Sequence, residues 1–234
     1  MSAHPVNSDA AAADAAITSS APAAGAAPAQ PAPMTGRPRI APGNRDEIGI
    51  FNALICRAIG LATGGGPPHL FTTLARHRRL FRPWLRFAGG LMPGGALPRA
   101  DTEVVILRVA QNTGCDYEAR HHDHLAVAAG LSAEQIARIR DPAGAQMPGT
   151  SPRVALLLRV ADELHADGVV SEGLWALLAP EFSDAQLIEL LMLVGHYEML
   201  AMTVNSLRIE PDALPDAPPL LMRAVNAAMH RLRH

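Results

Sequence analysis

The sequence predicts an all-α fold, an orthogonal bundle of roughly eight helices in one domain. Three observations carry this. The hydrophobic fraction is 49% but aromatics are only 4%, so the core is built from Ala, Leu, Met and Val, and Ala, Leu and Met are good helix formers. Apolar residues recur at helical spacing along residues 46–207. Ser and Pro stand where helices start, and Gly where they stop.

The elements follow in order. A first helix is expected from about Asp46 to Leu61, stopped by the Gly64–Pro68 breaker. A second runs from His69 to Phe87, bent at Pro83, and residues 89–95 close it. A third starts near Pro98, carries Val104, Ile106, Leu107 and Val109, and ends at Asn112-Thr113-Gly114. The fourth opens at Cys115 and runs to Ala129 before Gly130. Ser132 and Gln135 form a capping box for a short helix with Ile136 and Ile139. Residues 141–149 read as a loop. Ser151-Pro152 opens the next helix, Ser171 caps a short one with Trp175, and Ser183-Asp184 begins a long apolar helix to about Leu207. The Pro-rich stretch 211–219 leads to a last short helix with a basic end.

Residues 1–36 are Ala, Pro, Ser and Gly with few large apolar side chains. Such a segment cannot bury enough surface to offset its ordering entropy, so it is expected to be a disordered tail before one helical domain over 37–234. No Lys or Arg precedes Arg37, unlike a secretory signal. The most apolar run, Leu187 to Val204, is interrupted by Glu189, His196 and Glu198, so no membrane span and a cytoplasmic location are expected. Two cysteines, Cys56 and Cys115, do not make a disulfide scaffold. The net charge of −2 does not call for nucleic acid, and Arg76, Arg78, Arg79, Arg82 and Arg86 read as a solvated helix face.

One internal echo stands out. Leu107-Arg108-Val109-Ala110 recurs as Leu158-Arg159-Val160-Ala161, and Ser132, Gln135 and Ile136 recur as Ser183, Gln186 and Leu187, both at an offset of 51. Two matches in one register are consistent with a duplicated helical unit or with chance between Leu- and Arg-rich helices. In a duplication, Cys115 and His122 correspond to Ala166 and Gly173, and the second copy lacks the chemical groups.

The chemistry-bearing segment is 103–122. With a helix starting near Cys115, Cys115, Glu118 and His122 fall at i, i+3 and i+7 on one face, and Glu103 lies on the preceding helix. A carboxylate pair, an imidazole and a thiol are the inventory for proton transfer. Cys115 at a helix N-terminus is either an activated thiol or a small buried hydrophobe. Glu103 and Glu118 can instead be structural partners of nearby arginines. Glu118, His121, His122 and His124 look ligand-rich, but only Glu118 and His122 share a face, so no metal is expected. His196, Tyr197, Glu198 and Asn205 interrupt the long apolar helix and need partners, at the site, at an interface or in solvent.

Glu103, Cys115 and His122 fall on the alkylhydroperoxidase D-like pattern of Glu, eleven residues, Cys, two residues, Cys, three residues, His, with Glu118 in the second Cys position. Ala129 to Ser132 follows as that family's Ala-Gly-Leu-Ser turn. From about Asp46 to Pro211 the chain resembles the carboxymuconolactone decarboxylase and alkylhydroperoxidase D superfamily. The resemblance implies that family's helical bundle, a trimeric or hexameric homo-oligomer, a small-molecule substrate and no cofactor. In peroxidase-type members the two cysteines form a redox disulfide served by the Glu and His. With Glu118 here no local disulfide can form, and Cys56 can substitute only if its Cα comes within about 7 Å of Cys115. Decarboxylase-type members also lack the cysteine pair and are considered to use acid–base chemistry on a lactone acid. The expected function is therefore cofactor-independent acid–base chemistry, decarboxylation or a relative, on a small organic acid or lactone. His122 is the expected acid/base, Glu103 or Glu118 orients it, and Arg108 binds a substrate carboxylate. The alternatives are a thiol peroxidase using Cys115 and a non-catalytic oligomeric scaffold.

Overall fold

The computed structural model describes residues 36–213. The tail reading, apart from Gly36, and the last short helix lie outside the described residues. Among those described there is no strand, and ten α-helices follow one another: α1 (Arg45–Ile48), α2 (Ile50–Thr63), α3 (His69–Leu74), α4 (Arg78–Leu91), α5 (Arg99–Asn112), α6 (Asp116–Ala128), α7 (Ala133–Arg140), α8 (Pro152–Asp167), α9 (Glu172–Leu178) and α10 (Asp184–Leu207). A 3-10 turn at Gly144–Gln146 lies in the loop before α8.

Helix α5 is the axis of the bundle and packs on α6, α7, α8 and α10. Every residue from Asp101 to Ala110 is buried, which is why its apolar positions form a near-continuous run rather than a stripe. Helix α10 buries Leu187, Leu190, Leu193, Val194, Leu200 and Val204 against it. By length and composition α10 is the one described helix able to cross a membrane, yet 50% of its apolar window is buried inside the protein. Three of its polar interruptions, Glu189, Glu198 and Asn205, find partners. Glu189 accepts from the Ala96 and Leu97 backbone N–H groups, His165 bonds Glu198 at 2.8 Å, and Asn205 donates to the Thr113 carbonyl at 3.1 Å. The Glu189 clamp fixes the turn that leads into α5.

The predicted capping box of Ser132 with Gln135 forms, and Ser183, read as a helix start, makes a second one with Gln186. Ser151 and Ser171 cap α8 and α9 as the sequence suggests. The order α5–α6–α7 is repeated as α8–α9–α10, with the two boxes in matching places. The first two expected helices are each broken in two. Gly49 sits at φ 82 and ψ 151, a conformation that side chains resist, and separates α1 from α2. His77 leaves the helix and caps α4, its Nδ1 accepting from the Leu80 N–H at 3.2 Å. Pro83 lies within α4, which continues to Leu91.

The arginine run is not merely solvated. Arg76 bonds the Ala41 carbonyl and Glu47, Arg78 bonds the Glu47 and Asp46 carbonyls, and Arg82 bonds Asn52. Three of the five thus tie α1 and α2 to the rest. After α10 the chain is pinned by Asp212, which accepts from the Tyr117 hydroxyl at 2.5 Å and the His69 backbone N–H at 2.9 Å.

Candidate functional site

The site is built on the α5–α6 hairpin. Helix α5 ends at Asn112, and Gly114 at φ 60 lets the chain reverse while the Cys115 N–H bonds the Ala110 carbonyl at 2.9 Å. Cys115 becomes the N-cap of α6. The reversal lays α6 against α5, so a group near the start of α5 faces one in the middle of α6.

Glu103 and His122 are that pair. Glu103 is fully buried, and its Oε2 stands 2.7 Å from His122 Nδ1. The other Glu103 oxygen is 2.5 Å from Arg99 one turn earlier on α5. On the far side of the imidazole, His122 Nε2 lies 3.4 Å from Glu118 Oε2, one turn earlier on α6. The result is a buried row, Arg99–Glu103–His122–Glu118, of alternating charge. Burial alone pushes the His122 imidazolium toward the neutral form; the charge and hydrogen bond of Glu103, then those of Glu118, outweigh it and raise the pKa to about 9.

Cys115 is 1% exposed. Burial first, and the nearby Glu118 charge second, push its thiol up to about 12, although α6 backbone N–H groups act in the other direction. Of the two sequence readings, the small buried hydrophobe describes its surroundings. Cys56 lies on α2 in a separate apolar cluster with Ile48, Ala75 and Phe81, and both cysteines are free.

Arg108 does not bind a substrate carboxylate, and this expectation is corrected. Its side chain is 3% exposed. Its Nε and one terminal nitrogen bond Asp162 at 2.6 and 2.7 Å, and the remaining donors go to the carbonyls of Ile139, Asp141 and Pro142. All five guanidinium donors are used, so Arg108 ties α5 to α8 and to the end of α7. The arginine that pairs with Glu103 is Arg99, and Glu118 faces His122 instead of an arginine.

Sequence reasoning did not assign the groups on the open side of Glu118. His196 of α10 is 5% exposed and its Nδ1 has no hydrogen-bond partner. Its ring stacks on Trp84 at 6.1 Å and meets Tyr197 edge-on at 5.2 Å; Tyr197 in turn meets the His122 ring at 5.2 Å. Trp84 Nε1 and Glu118 Oε1 are also buried without a partner. The available signal was the polar interruption of α10 at His196-Tyr197; nothing in the sequence points to Trp84. His121 turns away to stack on Tyr117 and reach Asp212 at 3.2 Å. Among the described residues, no three His, Cys, Asp or Glu side chains are arranged to hold a metal ion. A cavity of about 440 Å³ beside α2, bounded by Ile48, Ile50, Leu54 and Cys56, shares no lining residue with this cluster.

Comparison with solved structures gives the class. The fold is similar to an uncharacterized peroxidase-related protein from Ralstonia eutropha JMP134 with an alkylhydroperoxidase AhpD core, at 17% identity and a TM-score of 0.64, covering 74% of this chain and 93% of the other. A second peroxidase-related protein, from Silicibacter sp. TM1040, matches at 14% identity and a TM-score of 0.64, covering 71% and 87%. A protein of unknown function from Agrobacterium tumefaciens matches at 16% identity and a TM-score of 0.52, covering 57% and 91%. At such identities these matches speak for the fold alone, an alkylhydroperoxidase D-like helical bundle. By sequence, residues 78–163, which include Glu103, Cys115, Glu118 and His122, match the carboxymuconolactone decarboxylase family. That segment forms the centre of the alkylhydroperoxidase D-like bundle seen in the structural matches. Comparison with curated proteins gives no match.

Proposed function

We propose that this protein is an enzyme that moves protons without a cofactor, in the manner of decarboxylase-type relatives, on a lactone or small organic acid, with Glu118 as the base that meets substrate. The observation that carries the reading is the occupancy of His122. Both its ring nitrogens face buried carboxylates, while Glu118 Oε1 is left without a partner. An imidazole held from both sides has no free lone pair to offer a substrate; the carboxylate beside it has.

The roles therefore shift from those the sequence suggests. Glu118 Oε1 takes a proton from carbon next to a carbonyl, the C–H electron pair becomes that of the enolate, and Glu118, after exchange with solvent, returns a proton to the same or the conjugated carbon. No oxidant or reductant enters. His122 is a positioning residue: as an imidazolium with Nε2 3.4 Å from Glu118 Oε2 it aims the Glu118 carboxylate. When Glu118 takes the proton, Glu103 still balances the His122 charge, and Arg99 holds Glu103. The thiol-peroxidase alternative has against it a Cys115 thiol pushed up to about 12 and the lack of a second thiol beside it.

The test needs no known substrate. A panel of lactones and ketones is incubated with the protein in D2O, and deuterium gained at carbon is read by mass spectrometry. Wild type and Cys115→Ser are expected to exchange alike. Glu118→Gln is expected to be slower by about 10²–10⁴, the usual worth of a positioned base. Exchange that survives Glu118→Gln, or hydroperoxide turnover abolished by Cys115→Ser, overturns the reading. A panel untouched by wild type argues for the scaffold alternative.

A further inference from the structure

We infer that His196 and Trp84 complete the substrate side of Glu118, and that this subsite takes an uncharged carbonyl or hydroxyl compound rather than a carboxylate. The inference rests on the reading of Glu118 as the group that meets substrate, and it narrows the substrate class from acids and lactones to neutral molecules.

Three buried polar atoms lack partners here: Glu118 Oε1, His196 Nδ1 and Trp84 Nε1. Buried polar atoms in folded proteins nearly always find a partner, so three in one region mark a place made for something else. The ring contacts make the region continuous. Trp84 stacks on His196, His196 meets Tyr197, and Tyr197 meets His122, whose Nε2 faces Glu118. Phe87 adds another edge-on contact to His196 at 5.3 Å. The surroundings are thus flat and apolar, with a few polar atoms, the usual make-up of a small-molecule site.

The chemistry of those atoms selects the ligand. An indole N–H only donates, and an ionised carboxylate only accepts. A carbonyl oxygen suits Trp84, and an acidic C–H or an O–H suits Glu118. Burial pushes His196 toward its neutral form, with Glu118 pulling weakly the other way, so His196 offers a neutral ring nitrogen. The cations are already matched. Arg99 pairs with Glu103, though its Nε–H remains open; His122 lies between two carboxylates; Arg108 is consumed by Asp162 and backbone carbonyls. An incoming carboxylate would meet the negative charge of Glu118 with no unpaired cation to offset it.

The test is equilibrium binding. The chain has two tryptophans, and Trp175 is 39% exposed on α9, so the two indole N–H signals in a ¹⁵N NMR spectrum give a reporter and an internal control, assigned with Trp84→Phe. Cyclohexanone and cyclohexanecarboxylate, alike in ring and different in charge, are titrated in turn. Cyclohexanone is expected to move the Trp84 signal saturably and leave Trp175 still, and to bind at least about tenfold tighter than the carboxylate. His196→Phe keeps the ring and loses the nitrogen, and is expected to weaken the ketone about tenfold, with His196→Gln restoring part of the loss. Glu118→Gln removes the repulsion and is expected to narrow the ketone-to-carboxylate ratio, an effect that a purely structural Glu118 does not produce. A carboxylate that binds wild type as tightly as the ketone, a Trp84 signal unmoved by either, or a neutral His196→Phe overturns the inference. Selective ketone binding without deuterium exchange leaves this subsite standing and removes the catalytic reading; exchange with carboxylate preference does the reverse.

Discussion

The buried charge row makes stability depend on pH in a defined window. His122 titrates near its ordinary value of 6.5 in the unfolded chain and at about 9 in the folded one. Its folded value is raised, so the stabilisation is fully present below pH 6.5 and is lost as pH rises through 9. At roughly 1.4 kcal/mol for each pH unit, the interval corresponds to about 3 kcal/mol. That is a large share of the stability of a typical domain. The cause is specific, since Glu103 at 2.7 Å outweighs Glu118 at 3.4 Å in raising His122. Urea unfolding measured from about pH 6 to 8.5 should therefore give a falling free energy in wild type, a shallower fall in Glu118→Gln and the shallowest in Glu103→Gln. Slopes are compared, not absolute values, because Glu103→Gln also strips Arg99 of its partner. Stopping below pH 9 keeps the cysteines out. Cys115, held at about 12 when folded, also costs stability once the unfolded thiols ionise. A wild-type curve flat over that range, or a slope unchanged in Glu103→Gln, would show that His122 is not held as an imidazolium, and the proposed role of Glu118 would fall with it.

Two further outcomes follow from burial. Arg108→Leu leaves three carbonyls without their donor and Asp162 with only Asn112, and should cost about 3 kcal/mol or more by urea unfolding; a loss below about 1 kcal/mol would refute the tether. Native Cys115 at pH 8 should react with iodoacetamide about a thousandfold slower than an ordinary thiol, the ratio of thiolate fractions for values of about 12 and 9; peptide-level labelling at the rate of free glutathione would contradict that.

Legibility in the sequence followed the range of the interactions. Caps act within three residues, so Ser132 with Gln135 and Ser183 with Gln186 could be read directly, and with them the starts of α7 and α10. The pair Glu118 and His122 is likewise local, one turn apart. The breaks at Gly49 and at Ala75–His77 were not legible, because both flanks keep helical apolar spacing and only the backbone turn separates them. Pro83 misled in the opposite sense, since a proline inside a helix costs one hydrogen bond and packing on both sides outweighed it. The role of Arg108 depends on Asp162, 54 residues away, and on carbonyls after α7. No local pattern carries that pairing, and an arginine in an active-site helix invites a ligand role. His196 and Trp84 meet only because α4 packs on α10, and α10 in turn packs on α5.

The position of Glu118 bears on two groups at once. It lies one turn before His122 and three residues after Cys115, where the peroxidase-type pattern carries its second thiol. A carboxylate there gives His122 a second anion and helps raise it to about 9. The same charge, after burial, is the next cause of the rise of Cys115 to about 12. A thiolate beside an ionised carboxylate is disfavoured for the same Coulombic reason that an imidazolium is favoured. Having Glu rather than Cys at this one site therefore places a carboxylate where a base is proposed and adds to the burial that holds the Cys115 thiol protonated. In this chain the row from Arg99 to His122 delivers positive charge to position 118. The peroxidase-type pattern has a thiol there and this chain a carboxylate, and a carboxylate is a group for proton transfer rather than for redox exchange.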